Sequence, residues 1–205
     1  MHHERTVFAG DPNPNDPAVF EQLMSAMAAI NALGYGFELI SDEESTALDL
    51  HQITWQLPDD AQTEVCFVRD CHNQMGYITA KSQKQSLVRD VINAFEAALP
   101  AITQPEIVAR CGRDLPIEPT LLLKLALIAR KNDPEVIGIL REAIDHRLPA
   151  VRYYAARAMA ITKWHTFEED LEAALKMETD HDVRSMAENA LQICAKEASF
   201  SRKSR

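Results

Sequence analysis

Apolar residues change their spacing near Gly34. Phe20, Leu23, Met24, Met27, Ile30 and Leu33 recur at steps of three and four, which gathers side chains on one face of a helix. Asp16 followed by Pro17 predicts where that helix starts, with a capping carboxylate ahead of a proline in the first turn. Gly34, Tyr35 and Gly36 predict its stop. The residues before Asp16 read as a polar, proline-broken lead. Beyond Gly36 the period falls toward two, predicting three or four strands over Phe37–Ser41, Leu48–Leu57, Glu64–Asp70 and Met75–Ala80. The turn-rich stretches SDEEST, PDDAQ and the link around His72–Gln74 divide them into an antiparallel meander. Leu48 and Leu50 are out of phase with Ile53, Trp55 and Leu57, which predicts a bulge at His51 and Gln52. EVCFVRD is apolar on both faces and should be central. A second helix over Lys84–Leu99 places Leu87, Val88, Val91, Ile92, Phe95 and Leu99 together. The expected N-terminal fold is α+β, in the order αβββα, with two helices covering an antiparallel sheet.

From Pro100 the pattern is helical throughout. Helices are expected near Gln104–Gly112, Ile117–Lys131, Pro134–His146, Pro149–Lys163, Thr166–Met177 and His181–Lys196, joined by links short enough to make neighbours antiparallel. Two of them share a text. VRYYAARAMAI (Val151–Ile161) and VRSMAENALQI (Val183–Ile193) match at an offset of 32 in Val151 and Val183, Arg152 and Arg184, Ala155 and Ala187, Ala158 and Ala190. Conserving apolar and small positions while the rest vary specifies packing. Two helices and their links make a unit that cannot bury its own apolar face, so units must stack. DHDVRSMAENAL and LPAVRYYAARAM resemble the second helix of the HEAT-repeat family of α-solenoids. An earlier, degraded unit sets Ala126 and Leu127 where Ala158 and Met159 stand. The resemblance covers roughly Pro100–Ala198 and implies an all-α, HEAT-like α-α superhelix. It also implies that Asp182, Arg152 and Arg184 support the ladder between repeats.

Charge divides the chain the same way. Residues 1–99 carry 15 acidic against 5 basic side chains, whereas residues 100–205 carry 16 of each. Within the second half, residues 100–165 hold 10 basic against 7 acidic groups, and residues 166–199 hold 3 against 9. Three segments are therefore expected: an acidic α+β domain over 1–99, a HEAT-like domain over 100–198, and a flexible basic tail over 199–205. Cys66, Cys71, Cys111 and Cys194 are too scattered for a disulfide framework. Cys66, Cys71 and His72 could offer three zinc ligands, but no fourth is placed by sequence, so no metal site is expected. With neither a membrane-length apolar run nor a secretory leader, the expected setting is cytoplasmic.

No local motif supplies a nucleophile, a phosphate-binding loop or a metal-binding helix, so no catalytic residues and no cofactor are expected. Binding residues are the alternative. Tyr153, Arg157 and Trp164, with Arg152 at the margin, form the non-core side of the helix over Pro149–Lys163 and the residue just beyond it, and such residues dominate interface hot spots. Asp42, Glu43, Glu44, Asp59 and Asp60 lie in predicted turns as an acidic docking face. Together they predict a non-enzymatic protein-interaction module, an adaptor or an immunity-type inhibitor, with another protein as partner, a basic one suiting the acidic face. Nucleic acid is disfavoured by a final repeat that is acidic. Two alternatives rest on roles seen among HEAT-like proteins: a DNA-glycosylase-like nucleic-acid binder and a bilin-lyase-type enzyme.

Overall fold

A computed structural model describes the backbone of residues 1–203 and the side chains of residues 1–196. The expected basic tail lies outside the residues whose side chains are described. The chain divides into two compact units, Met1–Thr103 and Gln104–Arg205.

The first unit is an antiparallel six-stranded sheet with two helices. Its elements are β1 (His2–Phe8), α1 (Pro17–Ala32), β2 (Glu38–Ser45), β3 (Leu50–Leu57), β4 (Asp60–Asp70), β5 (Met75–Ser82), α2 (Gln85–Ala98) and β6 (Ala101–Ile102), and the sheet order is β2-β3-β4-β5-β1-β6. Asp16 caps α1 by accepting the Ala18 amide at 2.9 Å, with Pro17 in the first turn. Gly34 and Gly36 both take positive φ and end the helix region, conformations that favour residues without a Cβ. Asn31 then clamps Phe37, accepting its amide at 2.6 Å and donating to its carbonyl at 2.8 Å, which fixes where β2 begins. Ile53, Trp55, Val65, Phe67, Ile78 and Ala80 alternate onto the face that meets Leu23, Ile30, Leu87, Val91 and Phe95 of the helices. EVCFVRD, in β4, is internal to the sheet as its two apolar faces require.

Four readings are corrected. The lead contains β1, which pairs with β5 along its length but with β6 only at Val7 and Phe8. Among the described residues its polar half therefore has no strand on its outer side and tolerates His2, His3, Glu4 and Arg5, while only the apolar end is flanked by strands on both sides. The bulges lie between Leu39 and Ser41 and between Gln56 and Leu57, not at His51 and Gln52. Leu48 is out of phase because it sits in the turn before β3, where Asp49 takes φ 54°. Leu33, expected on the buried stripe, is the C-cap residue of α1 and is 64% exposed.

The second unit stacks helices in pairs: α3 (Gln104–Asp114), α4 (Leu121–Ile128), α5 (Pro134–Ile144), α6 (Pro149–Thr162), α7 (Glu168–Met177) and α8 (His181–Lys203), with a 3-10 turn at His165–Phe167. Helix α4 packs on α6 and α6 on α8, while α5 meets α7, so alternate helices form two layers. Val151, Ala155, Ala158, Val183, Ala187 and Ala190, the positions repeated at an offset of 32, are all buried. The alanines at this seam let α6 and α8 approach closely.

A tight contact in the first unit gives a test. A Cβ added to Gly76 would fall 2.4 Å from Cγ of Pro12. The segment holding Pro12 is fastened to the sheet by Arg69, which donates to both oxygens of Asp11 at 2.9 and 2.8 Å and to Asn13 at 3.1 Å. Gly76→Ala must push that segment outward, with an expected cost of about 1–3 kcal/mol read from the urea midpoint. An unchanged midpoint would show that the segment yields freely.

Candidate protein-interaction surfaces

Among the described residues β3 is the only strand beside β2, so β2 forms one edge of the sheet. Asp42, Glu43 and Glu44 lie on this strand rather than in a turn. An edge strand keeps one side in water, so a polar sequence can hold extended backbone there. All three are exposed, facing Ile53, Gln52 and His51 of β3 in register. Asp59 and Asp60 sit at the opposite end of β3, where the chain turns into β4. The five carboxylates do not form one patch. Asp60 is moreover occupied within its turn. It accepts the Thr63 hydroxyl at 2.6 Å and the Gln62 amide at 3.1 Å, and these bonds hold its carboxyl below the usual range.

The sequence reading missed the partner of Asp42. His51 is buried, and its Nε2 lies 2.6 Å from the Asp42 carboxylate, whose side chain is 45% exposed. The carboxylate accepts, so Nε2 is the donor, and Nδ1 is buried without a hydrogen-bond partner. His51 stands opposite Glu44 on one side and Arg69 on the other. Only strand register brings these residues together.

On the second unit, α6 was expected to present a binding face. No side chain from Val151 to Thr162 is fully exposed, and Tyr153 and Arg157 are both half-buried. Tyr153 meets Tyr154 edge-on, with ring centroids 5.4 Å apart. Trp164 is only 6% exposed and stacks on Phe167 at 5.8 Å and 15°, which makes its ring part of the core. Arg152 is likewise committed. It donates to both oxygens of Glu178 at 2.7 and 2.9 Å, and to the carbonyls of His146 and Arg147 at 2.9 and 3.1 Å.

Glu178 is the centre of this arrangement. It also accepts the amides of Thr179 and Asp180 at 2.9 and 2.8 Å, while Arg184 donates to its carbonyl at 2.8 Å. The Arg152 guanidinium and these amides hold its carboxyl down at about 2 despite burial. Arg152 is thus structural, joining the α5–α6 link to the α7–α8 link, and Arg184 fastens the start of α8 to the α7–α8 link. Asp182 is not: its side chain is 88% exposed and its oxygen lies 3.4 Å from neighbouring His181. The capping residue is Asp180, which accepts the amides of Asp182 and Val183. A cleft of about 320 Å³ opens beside the ion pair, lined among others by His146, Arg147, Met177 and Glu178.

Chemistry elsewhere is quiet. All four cysteines are free. Burial pushes Cys66, Cys111 and Cys194 up to about 11, so they remain thiols at neutral pH and act as packing groups. Among the described residues no group of three or more His, Cys, Asp or Glu side chains is placed to hold a metal ion. No helix among them is long and apolar enough to cross a membrane.

The paired, two-layered stack places the second unit in the class of α-α superhelices. A family model for HEAT repeats matches residues 123–192, within this helical unit. No curated protein matches the sequence. Among solved structures, a crystal structure of epoxyqueuosine reductase with a tRNA-Tyr epoxyqueuosine-modified tRNA stem loop is similar at 23% identity and a TM-score of 0.36. The match covers 53% of this chain and 32% of that one. The chain spans about a third of that protein's length.

Two outcomes follow for the helical unit. Glu178 is ionised in the fold well below its ordinary 4.5, so its contribution is complete above that value and disappears as pH falls toward 2. Glu178→Gln should therefore be less stable at pH 7 and flatter between pH 4.5 and 2, measured as urea midpoints across that range. Trp164→Ala should cost about 3–5 kcal/mol in the same assay, whereas Glu188→Ala, on the exposed side of α8, should stay within about 0.5 kcal/mol.

Proposed function

We propose that this chain is a non-enzymatic protein-interaction module, an adaptor or an immunity-type inhibitor, whose partner presents a basic surface. The observation that carries this reading is the display of Asp42, Glu43 and Glu44 on an open sheet edge, in a segment with 15 acidic against 5 basic side chains. Such a field repels polyanions, draws cationic surfaces and speeds their encounter. HEAT repeats commonly mediate protein interactions, and residues 123–192 match them. Tyr153 and Arg157 supply the second contact region, through faces that are half open. Asp59 and Asp60 add charge at the far end of β3. Trp164 and Arg152 act through the packing that positions the repeats. Four free cysteines fit a reducing, cytoplasmic setting.

The test is a tagged pull-down of the full chain from its native host at moderate salt, followed by mass spectrometry and reconstitution with the purified partner. The expected result is one stoichiometric basic protein, bound more weakly as salt rises, because exposed charges are screened within about 8 Å at physiological ionic strength. Tyr153→Ala combined with Arg157→Ala should weaken the reconstituted complex. Recovery of nucleic acid or a small ligand alone would overturn the reading.

A further inference from the structure

The two edges of the sheet are built differently. At one, the two-residue β6 covers only the Val7–Phe8 end of β1, and the rest of that strand's outer side carries both signs of charge through His2, His3, Glu4 and Arg5, so it offers no single-sign edge. At the other, β2 runs for eight residues, of which six are exposed. Its bulge leaves Ile40 as the extra residue, so Ser41–Ser45 is a regular stretch in unbroken register with Thr54–Leu50. Extended backbone with no strand on its outer side carries amides and carbonyls directed at solvent, the arrangement that recruits an added strand.

The side chains decide which strand can be added. β2 carries Glu38, Asp42, Glu43 and Glu44 and contains no Lys or Arg. Glu38 and Glu43 face one side of the sheet, Asp42 and Glu44 the other, following the alternation of their partners on β3. A new strand would therefore meet carboxylates on both of its faces. Exposed apolar groups flank the acidic stretch: Ile40, 57% exposed, at the bulge, and Leu48, 69% exposed, in the following turn. Asp42 is already oriented by His51 and keeps 45% of its side chain open, so less freedom is lost when a cation pairs with it. A second copy of the chain is a poor occupant. Pairing β2 with its own duplicate would gather eight carboxylates in a two-strand ribbon without a cation, and like charges across a ladder destabilise it.

We propose that β2 is a docking edge for an extended, basic segment of a partner protein, which adds to the sheet as a seventh strand along Ser41–Ser45. Lysines or arginines of that segment pair with Asp42, Glu43 and Glu44, and its apolar residues cover Ile40 and Leu48. Main-chain bonds supply affinity and the carboxylates choose the sign of the partner. This inference rests on the protein-binding reading and narrows it to one strand.

The probe is a fluorescein-labelled octapeptide of alternating Lys and Val, titrated by anisotropy into the full chain. A peptide of the same sequence with alternate backbone nitrogens methylated keeps the charge and loses the ladder. The expected result is saturable binding of the first peptide, weakened at least about tenfold by N-methylation and at least about tenfold by Glu43→Lys with Glu44→Lys. Both replaced side chains are exposed, and an unchanged circular dichroism spectrum confirms that the variant folds. Absence of binding would overturn the proposal, as would equal binding of the methylated peptide, which would mean charge attraction alone. Equal binding by the double variant would place the contact elsewhere. The two readings fail separately. A natural partner that the double variant still retains defeats the strand-addition proposal and leaves the protein-binding reading standing. Recovery of no protein defeats the broader reading while the peptide titration still judges the edge.

Discussion

The carboxylate of Glu178 settles the geometry of the repeats. It satisfies one guanidinium through both oxygens and two backbone amides, while its own carbonyl takes a second guanidinium. A buried ion pair is seldom a large source of net stability, because desolvation consumes most of the attraction. Its effect here is on register. Arg152 also ties down two carbonyls of the α5–α6 link, so the two inter-helix links are held together beside the alanine seam between α6 and α8. Hydrophobic burial drives the stacking, and this network of hydrogen bonds ties the two links together.

The first unit solves a different problem. Its helices cover one face of the sheet, and its two edges remain to be managed. One is covered by β6 only at Val7 and Phe8 and is mixed in charge along the rest of β1. The other is long but bulged and heavily charged, features that protect a sheet from joining indiscriminately to others. The same features that turn away a like-charged strand set the terms on which an oppositely charged one is admitted. Protection and recognition are then one property of β2, differing only in what approaches it.

Periodicity made the helices and the meander legible. The step of three and four, a capping Asp before Pro17, and the repeat at an offset of 32 all mark elements found in the fold. What the pattern concealed was pairing. β1 reads as a loop because half of it is polar, and that half is extended only because β5 lies beside it. Asp42, Glu43 and Glu44 read as a turn because acids punctuate chains, yet an edge strand accommodates them. The site was legible as composition and illegible as geometry: the His51–Asp42 contact and the gap between Asp42 and Asp60 are set by strand register. Trp164 and Arg152 carried the chemistry of hot-spot residues, and in the absence of a burial signal the local sequence could not distinguish a ring offered to a partner from one stacked on Phe167.

The four cysteines differ in a way that has a practical reach. Burial raises all four thiols, but Cys71 alone is half-exposed, in the turn that closes β4 and β5, its amide bonded to the carbonyl of Asp49 in the turn between β2 and β3. A maleimide dye would find one addressable position in the native protein. That position lies at the same end of the sheet as Glu44, so a single fluorophore attached without altering the sequence would sense whatever settles on the acidic strand.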